Sequence, residues 1–212
     1  MKILCIFAHP DDFEIYAIGS AIRLINKDIN VHLAIATTTF SIYTEERKAE
    51  AHKAIEGLKM TLSFLGFPDG QIKSSNVNCY KEVEKLVLDY KPDLIFTHSE
   101  SDYHSDHVNL AKIVKDIASF KVPVLFSDTL NGQESNVSIY IDITEQIDEK
   151  CMRLSYHKSQ CEKAPYINIV KIVNNFRGLQ YSGDPLSYCE AFTSSVYHKK
   201  HLDEILLKLF GK

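Results

Sequence analysis

Short runs of apolar residues alternate with helix-like segments from the N-terminus to Phe126. Each apolar run is too short for a helix and is typical of a strand that is buried on both faces of a parallel sheet. The predicted strands are residues 3–8, 31–36, 61–65, 94–97 and 122–126. The segments with apolar residues at helical spacing, predicted as helices, are residues 14–27, 44–58, 79–90 and 107–120.

This regular alternation predicts an α/β fold, a Rossmann-like open sheet that is mostly parallel and has helices on both faces. No linker, repeat or low-complexity tract interrupts the chain, so we expect a single domain over residues 1–212. A chain of this length can bury a sizeable core without disulfides or a structural metal.

The last third of the chain has a weaker pattern. Residues 138–143 alternate like a strand with one exposed face, 144–157 resemble a helix, and 190–196 resemble a late strand. The segment 201–210 carries one apolar stripe, made of Leu202, Ile205, Leu206 and Leu209. We predict that this stripe packs on its own domain, and a subunit contact is the alternative.

Composition narrows the class of protein. Hydrophobic residues make up 45% and charged residues 25% of the chain, and no segment approaches the roughly 18 apolar residues of a membrane span. The net charge of -4 argues against a nucleic-acid partner. The first apolar run is short for a signal peptide, and the scattered cysteines are typical of reduced, buried thiols. We therefore expect a cytoplasmic protein that acts on a small molecule.

Two polar clusters follow the first and the fourth predicted strands. Their members are His9, Asp11, Asp12, Asp102, His104, Asp106 and His107. Ligands of open α/β sheets bind outside the carboxyl ends of the strands, at the point where the strand order reverses. If the first and fourth strands are neighbours, as in the usual strand order, the two clusters form one site.

The residue types in these clusters predict a metal centre. Two imidazoles and a carboxylate, with positions left open for water, form the recurring catalytic zinc arrangement. We take His9, Asp12 and His107 as the ligands of one Zn²⁺ ion per chain, although Fe²⁺ accepts the same ligands. Such an ion polarises a carbonyl and lowers the pKa of water, which is what hydrolysis of a neutral amide needs.

The other polar residues of the clusters suit proton transfer. Asp11 is adjacent to Asp12 but projects differently, and it is the predicted general base. His104 is the predicted acid or oxyanion stabiliser, with Asp106 orienting it. A structural alternative exists for Asp11 and Asp12, because both fall where a helix begins and carboxylates there are commonly helix caps.

At these residues the chain resembles the LmbE family of deacetylases, also called the PIG-L family. The strong matches are Ala8-His9-Pro10-Asp11-Asp12-Phe13-Glu14 with Gly19 after it, and His104-Ser105-Asp106-His107, where proline usually replaces Ser105. Weaker matches are Arg47 with Glu50, Phe67-Pro68-Asp69-Gly70, His157-Lys158-Ser159-Gln160 and Tyr188-Cys189-Glu190-Ala191-Phe192.

The resemblance implies a zinc-dependent hydrolase that removes the acetyl group from an N-acetylglucosamine-type sugar conjugate. It implies zinc on His9, Asp12 and His107, with Asp11 as general base and His104 as acid or electrostatic partner. Several members of the family are homo-oligomers, so a homo-oligomer is one expectation for this chain. Arg47 is a candidate for substrate binding, with a solvated helix residue as the alternative. Tyr188 is a candidate oxyanion stabiliser, with a core tyrosine as the alternative.

Three other functions remain open on the sequence. The same metal, base and acid would serve the hydrolysis of another acyl amide or of an ester. A nucleotide-binding module would carry a G-x-G-x-x-G motif after the first strand, where this chain has His9-Pro10-Asp11-Asp12. A zinc-binding protein without turnover is the third alternative. We expect the loops 39–43 and 131–135 to line the pocket.

Overall fold

The computed structural model describes residues 1–38, 44–119, 121–134, 136–195 and 199–211. Its strands are β1 (Lys2–Phe7), β2 (Asn30–Thr38), β3 (Met60–Pro68), β4 (Leu94–Thr97), β5 (Val124–Ser127), β6 (Ile139–Asp142) and β7 (Cys189–Ser194). Its helices are α1 (Asp12–Tyr16), α2 (Ile18–Ile25), α3 (Thr44–Ala54), α4 (Val77–Tyr90), α5 (Ser105–Ala118), α6 (Ile147–Leu154), α7 (Lys158–Cys161), α8 (Tyr166–Ser182) and α9 (Lys199–Phe210).

All described strands belong to one sheet, in the order β3-β2-β1-β4-β5-β7-β6. Strands β1 to β5 pair in parallel, whereas β7 pairs antiparallel with both β5 and β6. The strand order reverses between β1 and β4, whose pairing joins Ile3 to Leu94 and Cys5 to Phe96. The predicted fold class and the neighbouring positions of the first and fourth strands are therefore confirmed.

Helices cover both faces of the sheet, as predicted. On one face, Ile3, Cys5 and Phe7 of β1 share an apolar cluster with residues of α2, α6 and α9. On the other face, Leu4 and Ile6 share a second cluster with residues of α4 and α5. Because successive residues of a strand point to opposite faces, an apolar run such as β1 must be covered on both sides.

The C-terminal helix α9 packs on its own chain. Leu202, Ile205 and Leu209 are buried in the same cluster as β1, and Leu206 packs against it. The predicted docking of this stripe on the parent domain is confirmed.

The helix predicted over residues 14–27 is instead two helices, α1 and α2, with a break at Ala17. The reason is a distant carboxylate. Glu190 accepts hydrogen bonds from the backbone N–H groups of Gly19 (2.9 Å) and Ser20 (2.8 Å), which lie in the first turn of α2. A Cβ atom at Gly19 would lie 2.9 Å from Ile143 Cγ2, so this position requires glycine.

The last third contains helices that the sequence pattern did not predict, namely α7 and α8. The helix predicted over 144–157 is shorter, at Ile147–Leu154. Helix α8 lies so close to the segment before β7 that a Cβ atom at Gly178 would be 2.2 Å from the Ser187 carbonyl oxygen. Of the predicted elements, residues Phe120 and Val196 lie outside the described part of the chain.

An ion pair between Lys150 and Glu190 is buried in the interior. Lys150 Nζ lies 2.6 Å from Glu190 Oε1, and the two side chains are 0% and 1% exposed. The pair links α6 to β7, and Glu190 continues the link to the start of α2. Removing one partner would leave a charge in a site without water.

We therefore expect Lys150→Met to lower the free energy of unfolding by about 3–5 kcal/mol, because it strands the Glu190 carboxylate. The double variant Lys150→Met/Glu190→Gln removes that charge and should unfold at a higher denaturant concentration than the single variant. Urea denaturation followed by circular dichroism measures both. Equal midpoints for the single and the double variant would contradict a penalty from the unpaired Glu190 charge.

Candidate metal centre

The polar clusters meet where β1 and β4 end side by side. The chain turns sharply after β1, because the Asp12 carboxylate Oδ2 accepts the backbone N–H of His9 at 2.7 Å. Helix α5 begins at Ser105 and carries His107 back over the end of β4. The side-chain nitrogens of His9 and His107 consequently lie 3.2 Å apart, although the residues are distant in the sequence.

Three atoms form a nearly equilateral triangle, namely His9 Nδ1, Asp12 Oδ2 and His107 Nε2. The distances are 3.2 Å from His9 to Asp12, 3.2 Å from His9 to His107 and 3.3 Å from His107 to Asp12. A tetrahedral zinc ion with bonds of about 2.0–2.1 Å separates its ligand atoms by roughly 3.3–3.4 Å. The predicted ligand set is thus brought together with the spacing and the donor types that zinc needs.

Further carboxylates hold the outer nitrogens of these two imidazoles. His107 Nδ1 lies 3.0 Å from Asp102 Oδ2. His9 Nε2 lies 3.2 Å from Asp106 Oδ2 and 3.1 Å from Asp69 Oδ1. Such outer carboxylates orient a ligating histidine and raise its basicity. Asp69 belongs to the weaker Phe67-Pro68-Asp69-Gly70 match, which gave it no role at this centre.

His98 is a residue of this centre that the sequence analysis missed. It is fully buried, and its ring stacks on that of His107 with the centroids 3.8 Å apart. Its Nε2 accepts the Ala8 N–H at 2.8 Å and lies 3.2 Å from Asp12 Oδ2. The available signal was its position directly after β4, at the same edge of the sheet as His9, which is the second residue after β1.

The electrostatics of the triangle favour a cation. Burial alone would lower the pKa of His107, but Asp12 and Asp102 outweigh it and raise the pKa to about 9. Burial alone would raise the pKa of Asp12, but the imidazoles of His107, His98 and His9 hold that pKa well below the usual range. The carboxylates that hold a proton on His107 would equally stabilise a divalent ion.

Asp11 has an unusual backbone and an unusual carboxyl group. Its φ of 113° lies in the left-handed region, which residues other than glycine rarely adopt. Its carboxylate makes no helix-capping hydrogen bond and instead accepts one from Arg47 Nη2 at 3.1 Å. Burial and the neighbouring Asp12 raise the pKa of Asp11 to about 7, with Arg47 opposing the shift. Asp11 is therefore a group that can exchange protons near neutral pH.

His104 lies beside the triangle. Its ring centroid is 4.7 Å from those of both His9 and His107, and burial, followed by the charge of His107, lowers its pKa. The predicted orienting role of the Asp106 carboxylate is not what the structure arranges. The carboxylate oxygens of Asp106 accept hydrogen bonds from the backbone N–H groups of Gly70 and Ile72 and lie near His9. Asp106 contacts His104 through its backbone instead, because His104 Nδ1 accepts the Asp106 N–H at 3.2 Å.

Of the two candidate substrate-binding residues, Arg47 lies at the centre and Tyr188 lies away from it. Arg47 is buried at the centre, where Nη2 also donates to the Pro10 carbonyl at 2.7 Å. Tyr188 does not line the cavity at the centre. It packs against the apolar core, and its backbone N–H donates to Thr144 Oγ1 at 3.0 Å. The antiparallel pairing of β7 beyond β5 keeps Tyr188 away from the end of β1.

The weaker motifs contact one another behind Asp11. Glu50 of α3 accepts hydrogen bonds from the backbone N–H (2.8 Å) and the hydroxyl (2.6 Å) of Ser159 at the start of α7. His157 Nε2 lies 3.1 Å from Glu14 Oε2, and both side chains are almost fully buried. These contacts attach α7 to α1 and α3, the elements that carry Asp12 and Arg47.

A cavity of about 170 Å³ opens above the triangle. Its lining residues are His9, Asp11, Asp12, Ile15, Tyr16, Arg47, Asp69, Tyr103, His104, His107, Leu130, Gln160 and Tyr166. Of the loops predicted to line a pocket, residues 39–43 and Ser135 lie outside the described part of the chain. In the second loop, the adjacent Leu130 lines the cavity instead of residues 131–134.

A doubly wound sheet with clustered imidazoles and carboxylates at its switch point defines an α/β protein with a candidate metal site of the kind that hydrolases use. The model of the PIG-L family, described as GlcNAc-PI de-N-acetylase, matches residues 4–118, which is more than half of the chain. The chain therefore belongs to the PIG-L family. The predicted family is confirmed, and so is the predicted enzyme class, a deacetylase.

One curated protein and two solved structures illustrate what this chain is similar to. A probable N-acetyl-alpha-D-glucosaminyl L-malate deacetylase 2 of Bacillus cereus is 26% identical, over 76% of this chain and 84% of that protein. The N,N'-diacetylchitobiose deacetylase of Pyrococcus horikoshii has a TM-score of 0.78 at 18% identity, over 95% of this chain and 86% of that one. A 4-carboxy-2-hydroxymuconate hydratase of Pseudomonas putida KT2440 has a TM-score of 0.77 at 20% identity, over 91% and 95%. These structures share the fold.

The backbone strain at Asp11 predicts a difference between two variants. Asp11→Ala and Asp11→Gly both delete the carboxylate and its contact with Arg47, but only alanine keeps a Cβ atom at a positive φ. We expect the glycine variant to be more stable than the alanine variant by about 1–2 kcal/mol. Urea denaturation of the two proteins measures this difference, and an alanine variant of equal or greater stability would argue against strain at this residue.

The position of His98 predicts a role in metal affinity. His98→Phe keeps a stacked ring against His107 but removes the Nε2 atom that accepts the Ala8 N–H, so the backbone just before His9 loses a contact that holds it in place. We expect zinc affinity to fall about 10- to 100-fold, as is typical when outer partners of a metal site are removed. Competition with a chelating dye measures the affinity. His201→Ala, which removes an exposed histidine of α9, is the control and should bind zinc like the wild type.

Proposed function

We propose that this protein is a zinc-dependent hydrolase that removes the N-acetyl group from an N-acetylglucosamine-type sugar conjugate. The observation that carries the proposal is the triangle of His9, Asp12 and His107, with the Asp11 carboxyl group and His104 beside it in one cavity. Membership of the PIG-L family and the curated relative, a probable amino-sugar deacetylase, support the same substrate class.

The donor set fits zinc, and the chain's own residues supply the proton transfers. When bound, zinc supplies a Lewis acid that polarises the amide carbonyl and lowers the pKa of a nearby water. Asp11, which lines the cavity beside Asp12, accepts the proton that the attacking water loses. His104, on the cavity wall, donates a proton to the departing amine and hydrogen-bonds the developing oxyanion.

Two other residues position these groups. Arg47 holds the Asp11 carboxylate and the Pro10 carbonyl, so we assign it to positioning the base as well as to binding substrate hydroxyls. Asp106 acts on His9 through its carboxylate and on His104 through its backbone N–H. Tyr188 lies outside the cavity and has no role in the proposed reaction.

The alternative function is hydrolysis of another acyl amide or an ester at the same centre. The shared fold alone does not choose between these reactions, because a hydratase also has it. No described helix combines the length and apolar character needed to cross a bilayer. The cytoplasmic location, the homo-oligomer and the preference for Zn²⁺ over Fe²⁺ stay predictions from the sequence.

The proposed roles predict how the activity responds to two conservative substitutions. Asp11→Asn keeps the size of the side chain but removes the proton acceptor, and His104→Gln keeps a hydrogen-bonding group but removes the proton donor. We expect each to lower kcat about 10²- to 10⁴-fold on N-acetylglucosamine conjugates while zinc content stays near one ion per chain. Release of acetate and free amine is the measurement.

Tyr188→Phe is the matched control, since it changes a polar side chain outside the cavity and should keep the wild-type kcat. Chelator treatment should abolish the activity, and added zinc should restore it. Full activity of the Asp11→Asn protein, or activity that survives removal of the metal, would overturn the mechanism. Release of other acyl groups at a higher kcat/KM than acetate would favour the alternative function.

A further inference from the structure

The mouth of the cavity carries an exposed aromatic ring. Tyr103 immediately precedes His104 and lines the cavity, yet it is 69% exposed. Tyr166, the first residue of α8, lines the same cavity. A large aromatic side chain that stays exposed beside a polar site leaves a flat apolar face uncovered, which is a typical feature of ligand-binding surfaces.

Carboxylates outnumber arginine and lysine side chains among the described residues that line the cavity. Arg47 is the only arginine or lysine among the described lining residues. Its Nη2 donates to Pro10 and Asp11, and its Nη1 lies 3.9 Å from Asp69 Oδ2. Residues 39–43, which the structure does not describe, contain no lysine or arginine either. A carboxylate or phosphate on the substrate would therefore meet three carboxylates, those of Asp11, Asp12 and Asp69, and a single described guanidinium group, that of Arg47, which already binds Asp11.

We propose that Tyr103 is a stacking platform for a neutral, ring-shaped group attached to the amino sugar, and that it makes the enzyme prefer such conjugates over anionic ones. This inference rests on the proposed function and adds to it the chemistry of the second half of the substrate. The shared chemistry is a ring with an apolar face, which the C–H face of a second pyranose and the face of an aromatic aglycone both offer. Tyrosine suits this task because it presents a large rigid surface at a small entropic cost.

The first experiment compares substrates on the zinc-loaded wild-type protein. The panel contains the methyl glycoside of N-acetylglucosamine, the neutral disaccharide N,N'-diacetylchitobiose, the neutral phenyl glycoside and the anionic N-acetylglucosaminyl malate. We expect the two ring-bearing neutral conjugates to have KM values about 3- to 10-fold below that of the methyl glycoside. A lower KM for the malate conjugate than for both neutral rings would overturn the proposal, and the order of the two neutral conjugates identifies the better ring.

The second experiment assigns the preference to Tyr103. Tyr103→Ala should raise KM for the ring-bearing conjugates about 3- to 10-fold relative to the methyl glycoside, with a much smaller change in kcat. Tyr103→Phe keeps the ring and should retain the wild-type ratio of the KM values. A uniform fall of kcat for every substrate in Tyr103→Ala would mean that the residue only supports the adjacent His104, and it would overturn the stacking role.

A binding experiment separates this inference from the proposed function. The chain contains no tryptophan, so Tyr103→Trp in an Asp11→Asn background creates a single fluorescent reporter at the platform without turnover. Saturable quenching or a spectral shift with N,N'-diacetylchitobiose, and not with the malate conjugate, supports stacking even if no conjugate is hydrolysed. Failure of hydrolysis across the panel would count against the proposed function alone, whereas an unchanged tryptophan spectrum at saturating disaccharide would refute the platform.

Discussion

The centre depends on the contacts that the buried carboxylate of Asp12 makes. Its Oδ2 atom accepts the His9 backbone N–H and lies within 3.3 Å of imidazole nitrogens of His9, His98 and His107. An unpaired carboxylate at this depth would cost several kcal/mol. The surrounding imidazoles offset that cost, and their arrangement sets the positions of the other groups: two of them present their second nitrogen to an outer carboxylate. A divalent ion would take the place of the protons in this arrangement.

The residues that support the centre extend beyond the part of the chain that the family model matches. That match ends at residue 118, whereas Lys150, His157 and Glu190 all lie later in the sequence. Glu190 starts helix α2 through two backbone hydrogen bonds, and this ends α1 after little more than one turn. His157 lies against Glu14 of α1 on the side facing the interior. The C-terminal third therefore holds in place the short helix that begins with the candidate ligand Asp12.

Chemistry and stability oppose each other at Asp11. The left-handed backbone turns its carboxylate away from the helix N-terminus, where it would have capped α1, and towards Arg47. Strain of this kind persists when surrounding contacts determine the conformation, and it is common at functional sites. The same arrangement leaves a carboxyl group with a pKa of about 7 next to a carboxylate whose pKa is strongly lowered. Two adjacent aspartates can thus have different roles because their environments differ.

The sequence by itself determined the central parallel strands, the position of each polar cluster at a strand end and the donor types, because a strand buried on both faces must be apolar and its polar end must lie at the sheet edge. Tertiary structure decided the rest. The break at Ala17 depends on Glu190, which is 170 residues from the Ser20 N–H group that it accepts from. Helix α8 is rich in β-branched residues and few of its side chains are buried, so its sequence gives little periodic signal.

The same distinction holds for single residues. A histidine after a strand, such as His98, has no local signature until the stacked ring of His107 and the carboxylate of Asp12 surround it. Asp106 and Tyr188 matched family motifs, but the direction of a side chain depends on the elements that pack around it. The loop of Gly70 and Ile72 draws the Asp106 carboxylate towards His9, and the pairing of β7 places Tyr188 on the core. Local sequence patterns therefore predict the donor types and the positions of the strands, whereas packing between distant segments decides which atoms face the cavity.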